Sequence, residues 1–257
     1  MSRILFTRMR ALALLLATLA CLSVHAAAAD ELRIVTEELP PYNMTQNGQV
    51  TGLSTEVVQA VLKEVGMQGN IQSMPWARAY DIALNSENVM IYSITRTAQR
   101  EKLFKWVGVI APTRMLLFAR ADANLRIKTL DDARKYQIAT VNEDAGEQYL
   151  VSKGFVIGKN LQSSNKYEFN YEKLRLGRVD MWVSNELNAY YLVRQAGDNP
   201  HTVLSPALLL DDISRDGGGL DMAFSLKTPD AVVERFRKAL ETIKKNGTYE
   251  SLQKKWL

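Results

Sequence analysis

The stretch Ser93-Ile94-Thr95-Arg96-Thr97-Ala98-Gln99-Arg100 follows a short apolar run, Val89 to Tyr92. That run reads as a buried strand. Hydroxyls and a guanidinium therefore stand just past a strand end, where open α/β sheets place their ligands. An arginine there can grip a carboxylate through two parallel charge-assisted bonds, and neighbouring hydroxyls can donate to the same oxygens. This is chemistry suited to an amino-acid head group.

Strand and helix patterns alternate on both sides of this stretch. Leu32 to Thr36 is a short β-rich run. Ser54 is placed to cap a helix whose apolar stripe is Val57, Val58, Val61, Leu62 and Val65, with Gly66 as its stop. Pro75 can open a helix from Trp76 to Leu84, and Met115 to Ala119 reads as a strand. The pattern then restarts. Ile138 to Val141 is a strand, and Asp144 can cap a helix that stops at Gly154. Tyr171 to Leu176 reads as helix, Val179 to Val183 as strand and Glu186 to Gln195 as helix. Met222 to Ser225 is a further strand, and Thr228-Pro229-Asp230 starts a helix with the stripe Val232, Val233, Phe236, Leu240, Ile243. Tyr249 to Trp256 is a last short helix. Such alternation predicts α/β layers with largely parallel sheets. Two half-sized cycles without a linker predict two lobes that exchange strands through a hinge.

The N-terminus reads as an export signal. Arg3, Arg8 and Arg10 precede the apolar run Ala11 to Leu22, which is too short to span a bilayer. Small residues follow, and cleavage is expected after Ala26 or Ala29; an uncleaved anchor is the rival reading. A lipoprotein anchored at Cys21 is a second rival, but Thr18 stands where an aliphatic residue would be wanted. The whole chain has 32 basic and 28 acidic residues, net +4. Without the three signal arginines it holds 29 against 28, which gives no electrostatic case for nucleic acid or an anionic membrane. The segment from Asp30 to Leu257 has no cysteine and one histidine, His201. That excludes a metal centre built from several His or Cys and disfavours His-based triads. No G-x-S-x-G elbow, H-E-x-x-H, phosphate loop or dinucleotide fingerprint is present, and no cofactor is expected.

The chain resembles the family 3 extracellular solute-binding proteins, the periplasmic receptors for polar amino acids and related solutes. The resemblance rests on Leu32-Arg33-Ile34-Val35-Thr36, Pro40-Pro41-Tyr42, Gly52-Leu53, Pro75-Trp76, Thr97-Ala98-Gln99-Arg100, Leu176-Gly177-Arg178-Val179-Asp180 and the tail from Gly247 to Trp256, in that order and spacing. It implies an α/β, two-lobed type II periplasmic-binding-protein fold, with a ligand cleft between the lobes and a two-strand hinge. Lobe one would comprise 30–120 and 221–257, and lobe two 121–220. The crossing strands would lie near Met115 to Ala119 and Met222 to Ser225. It also implies a periplasmic receptor that delivers its solute to an ABC permease; a monomer is expected, since nothing in the sequence suggests a self-association helix.

The resemblance carries over to particular residues. Arg100 would clamp the ligand carboxylate; the plain alternative is a surface arginine paired with Glu101. Thr95 and Ser93 can point the same way from an extended segment toward the same group, or simply bond their own backbone. Tyr42 and Trp76 are candidates for the cleft wall, with a core role as the alternative for Trp76. Arg78, two residues on, is a second anion contact or a side chain that snorkels to water. Glu37 and Glu38 end the first strand, where one could take a ligand ammonium. Asp144 stands at a helix N-terminus as its cap, beside amides that could receive an anion. The family's ammonium-binding aspartate is replaced here by Asn185, so the ligand need not carry an α-amine.

Two other classes remain open. A few relatives are periplasmic dehydratases of prephenate-like acids; Glu38 or Glu186 would then be the general acid. A sensory or orphan receptor would use the same cleft without its own permease.

Overall fold

The computed structural model describes residues 32–213 and 218–257, so the signal segment expected at 1–29 lies outside the described residues. Two five-stranded sheets organise the rest. In the first, β1 (Arg33–Thr36) lies between β4 (Ile71–Ser73) and β5 (Val89–Ile94), parallel to both. β12 (Leu220–Ser225) runs antiparallel between β5 and β6 (Phe104–Ala111). All six residues of β5 and all six of β12 are buried, which is why they read as continuous apolar runs. A small hairpin, β2 (Met44–Gln46) with β3 (Gln49–Thr51), stands apart.

The second sheet has the order β11-β7-β10-β8-β9. Here β7 (Met115–Arg120) pairs antiparallel with β10 (Met181–Asn185) and β11 (Leu204–Leu209), while β8 (Ile138–Val141) is parallel to β10 and β9 (Leu161–Ser164). Its core gathers Leu117, Ile138, Leu150, Phe155, Leu161, Met181 and Val183. The two sheets give the two-lobed α/β architecture.

Half of the pairings in each sheet are antiparallel, so the expectation of largely parallel sheets is corrected. The cause is the double passage between sheets. The chain leaves the first sheet after β6, enters the second at β7, and returns to the first from β11 to β12. The strands expected to cross, Met115 to Ala119 and Met222 to Ser225, each belong wholly to one sheet. The passage falls instead at 112–114 and 210–219, in the connections. β4, β6, β9, β11 and the hairpin have no counterpart in the sequence reading, because they are short, partly exposed or polar; β11 even carries Pro206, which an edge strand tolerates.

Helices cover the sheets. α1 (Leu53–Glu64) buries Val57, Val58, Val61 and Leu62 and packs on α7 (Asp230–Lys245), whose stripe is Val233, Phe236, Ala239, Leu240 and Ile243. α2 (Trp76–Asn85) packs on β1, β5 and β12. In the second lobe α3 (Ala145–Ser152) and α4 (Tyr167–Arg175) pack on β8 and β10; α4 begins four residues before the expected Tyr171. α5 (Glu186–Gln195), the short α6 (Pro200–Val203) and α8 (Thr248–Trp256) complete the set.

Ser54 does not cap α1. Gly52 holds that place at φ 116°, and Ser54 is buried within the first turn, its hydroxyl without a partner. The free amides of the first turn are met by backbone carbonyls instead: Leu53 N–H donates to Pro41 O (3.0 Å) and Ser54 N–H to Tyr42 O (2.8 Å). A Cβ on Gly52 would sit 2.5 Å from Tyr42 O. Gly52→Ala is therefore expected to destabilise the fold by about 1–3 kcal/mol, read from denaturant unfolding.

Candidate functional site

The turn after β5 carries Arg100, whose side chain runs into the space between the lobes and is only 1% exposed. Its guanidinium lies over the rings of Tyr80 (4.8 Å) and Trp76 (5.1 Å), both from α2 and themselves stacked at 5.6 Å. The rings cover one face and supply no strong acceptor, so the N–H groups must be met edge-on. Thr95 O accepts from Nη1 at 3.4 Å. The second lobe supplies the rest: Gln148 Oε1 accepts from Nε and Glu143 O from Nη2, each at 2.9 Å. Trp76 Nε1 donates to the same Glu143 carbonyl at 2.7 Å. Arg100 is buried and not a surface arginine, and the Glu101 carboxylate accepts from Arg96 at 2.7 and 2.9 Å.

Glu143 adopts a left-handed backbone, φ 60°, at the end of β8. That turns its carbonyl across the interface, while its carboxylate accepts from Gln148 Nε2 at 2.9 Å and its amide donates to Glu147. Asp144 follows and does cap α3, accepting from Ala145 N–H at 2.6 Å through Oδ1. Its other oxygen is buried and has no hydrogen-bond partner. Across the interface stands Glu37, 4% exposed, with the Tyr167 hydroxyl 3.5 Å from its Oε1. Burial pushes the Glu37 carboxyl well above its usual range, Asp144 adds to this, and Arg100 opposes it. Asp144 is also raised, again by burial first and with Arg100 opposing. Tyr167 is raised by burial and by the two acids.

Arg100, Trp76, Thr95, Glu37 and Asp144 thus converge at the interface. Glu38 is exposed and tied to Thr45 and Ser73, yet it lines with Glu37, Trp76 and Tyr167 a cavity of about 140 Å³ that both lobes bound. Four other candidates lie elsewhere. Tyr42 is fully buried and its hydroxyl meets Pro112 O and Thr113 Oγ1, both at 3.1 Å; Asn185 Nδ2 donates to that same Thr113 Oγ1 at 2.8 Å. Both therefore brace the passage between sheets. Ser93, left-handed at φ 61°, donates to Asn43 Oδ1. Arg78 is exposed and outside the group. The sequence reading missed Tyr80, Glu143, Gln148 and Tyr167, and also Asn188, which donates to Pro40 O across the lobes at 2.8 Å. Tyr80 stands four residues after Trp76 and Gln148 four after Asp144, a helical spacing that carried the signal for both. Among the described residues no cluster of His, Cys, Asp and Glu is arranged to hold a metal.

Residues 32–257 match the bacterial extracellular solute-binding proteins, family 3. The chain belongs to this family. Among its relatives, an L-cystine-binding protein of Escherichia coli (strain K12) is 22% identical over 220 residues, 84% of this chain and 78% of that one. An arginine-binding periplasmic protein of Mannheimia haemolytica is 23% identical over 244 residues, 91% of this chain and 94% of its own. Two solved structures share the fold at TM-score 0.75 and 22% identity over 88% of this chain: a histidine kinase sensor domain, covered to 95%, and an ancestral arginine-binding protein bound to arginine, covered to 98%. The relatives are binding proteins, and a solute-binding role follows for this member.

Gln148→Ala removes the acceptor on Arg100 Nε and leaves a buried charged N–H unmet. The expected cost is about 1–3 kcal/mol in denaturant unfolding, whereas the exposed Arg78→Ala costs less than about 0.5 kcal/mol.

Proposed function

We propose that this protein captures a small polar solute, an amino acid or a related carboxylate, by closing its two lobes on it. The signal segment 1–29 would direct it to the periplasm, where an ABC permease would receive the solute from a monomeric receptor. The carrying observation is the arrangement on Arg100. Its Nε and Nη2 edge, the fork that grips carboxylates side-on, points at the other lobe and meets two oxygens at 2.9 Å. A ligand carboxylate would take those two positions with the lobes parted around it. Trp76 and Tyr80 would hold the guanidinium flat for it, and Thr95 would flank it. Glu37, beside the small cavity it shares with Tyr167, would face a positively charged group of the solute. This restores a partner for an ammonium where Asn185 is committed to Thr113. The names of the cystine- and arginine-binding relatives support an amino-acid solute.

A sensory receptor is the second reading, and the likeness to a histidine kinase sensor domain favours it. The two share the capture step and differ in the partner that reads it.

The test is thermal unfolding of protein stripped of carried-over solute by denaturation and refolding, against amino acids, amines and organic acids. One class is expected to raise the midpoint, because binding to the folded state alone stabilises it. Arg100→Ala should abolish that rise. Arg100→Lys, which keeps the charge and loses the fork, should weaken affinity by about tenfold to a hundredfold, a loss of roughly 1.5–3 kcal/mol. A rise that survives Arg100→Ala overturns the carboxylate clamp.

A further inference from the structure

The group at the interface is one positive charge short. Glu37 comes from the first lobe and Asp144 from the second, and both are buried, at 4% and 6% exposure. The charged and titratable groups that act on them are few. Glu37 is under the influence of Asp144, Arg100, Tyr167 and Glu38, and Asp144 under that of Arg100, Tyr167 and Glu147. Lys166 and Glu168 line the cavity beside Glu37. Glu147 is spent within its own lobe, on Thr140 Oγ1 at 2.5 Å and the Glu143 amide at 3.0 Å. Glu38 is spent on Thr45 and Ser73. Among the described residues Arg100 is thus the one buried cation here, opposite the buried Glu37 and Asp144, with the buried Glu147 adding negative charge behind Asp144.

Hydrogen bonding is short by the same amount. The Tyr167 hydroxyl has a single proton to donate and stands against both acids, 3.5 Å from Glu37 Oε1 and acting also on Asp144, so it can serve only one of them. Asp144 Oδ1 has the Ala145 amide, and Asp144 Oδ2 has no donor. A buried carboxylate oxygen without a donor is costly, and a second carboxylate nearby adds repulsion.

We propose that closing the lobes takes up one proton, held by the Glu37–Asp144 pair against the Tyr167 hydroxyl. The added proton balances Arg100 and two carboxyls to zero charge and supplies the missing donor. Parting the lobes returns both carboxyls to water, where they titrate at about 4. Burial first of all makes both carboxyls weaker acids, with Arg100 opposing, which agrees in direction. The sign follows from linkage. The closed form binds the extra proton, so closure is most favourable below the ordinary carboxyl range. It weakens by up to tenfold per pH unit as pH rises toward the raised closed-form value, and levels off above it. Solute identity does not enter, so this proposal and the solute-capture reading fail separately.

The experiment is small-angle X-ray scattering of the purified, solute-stripped protein from about pH 5 to about pH 9, with circular dichroism confirming folding at each point. The radius of gyration is expected to grow as pH rises, and the closed fraction to titrate with close to one proton. Glu37→Gln and Asp144→Asn each keep the shape and the hydrogen-bonding capacity while removing one charge; Asn also retains the cap on Ala145. Either should hold the protein closed at high pH and flatten the titration. His201, the sole histidine of the described residues, rests against the Tyr190 ring, and His201→Gln should leave the titration as in the parent. A radius of gyration that does not change with pH overturns the proposal. So does a titration that survives in both carboxyl variants, or one that disappears with His201→Gln.

Discussion

A guanidinium taken fully out of water must have every face accounted for, and Arg100 sets that demand at the centre of this molecule. Its own lobe meets it only in part: two aromatic rings cover its plane and one carbonyl reaches an edge. The remaining edge is completed by oxygens of the other lobe. Neither lobe is therefore electrostatically finished alone. Desolvation of a charged group is affordable only where hydrogen-bond acceptors replace water, so approach of the lobes is coupled to the chemistry of this one side chain.

The passage between the sheets obeys a second constraint. Two connections carry the chain away from the first sheet and back, and the one at 112–114 is gripped from both sides at Thr113, by Tyr42 from the first lobe and Asn185 from the second. Tyr42 also reaches Pro112 O, and its own backbone carbonyl caps α1. A residue that resembled a cleft wall in the sequence is thus a brace between helix cap and connection.

Much of the fold was legible because its central elements are covered on both sides. β5, β8, β10 and β12 are buried throughout, and their apolar runs stand out. Edge strands such as β9, with the sequence Leu-Gln-Ser-Ser, carry no such pattern. Within the site, Arg100 was legible from its position after a strand, and the Asp144 cap from the turn of polar residues before a helix. The partners across the interface were not. Glu143 acts through its backbone carbonyl, which no side chain announces, and Tyr167 opens a helix whose start lacks a capping side chain. Contacts between lobes join residues 43 to 148 positions apart in the chain, so no local pattern records them.

Two non-glycine residues in left-handed backbone, Ser93 and Glu143, mark corresponding places at strand ends facing the interface. Such conformations cost of order 1–3 kcal/mol and persist where surrounding bonds hold them. For Glu143 those bonds form a chain with a direction. Its carboxylate accepts from Gln148 Nε2, so the Gln148 amide cannot flip, and its Oε1 must face Arg100. Its carbonyl meanwhile faces Nη2. The second lobe therefore presents two acceptors to the same two donors that a carboxylate would engage side-on. Any carboxylate bound there gains only the difference between its bonds and the ones it replaces. Selectivity at such a site comes from what surrounds the carboxylate, and the surroundings here are two aromatic faces and a pair of buried acids.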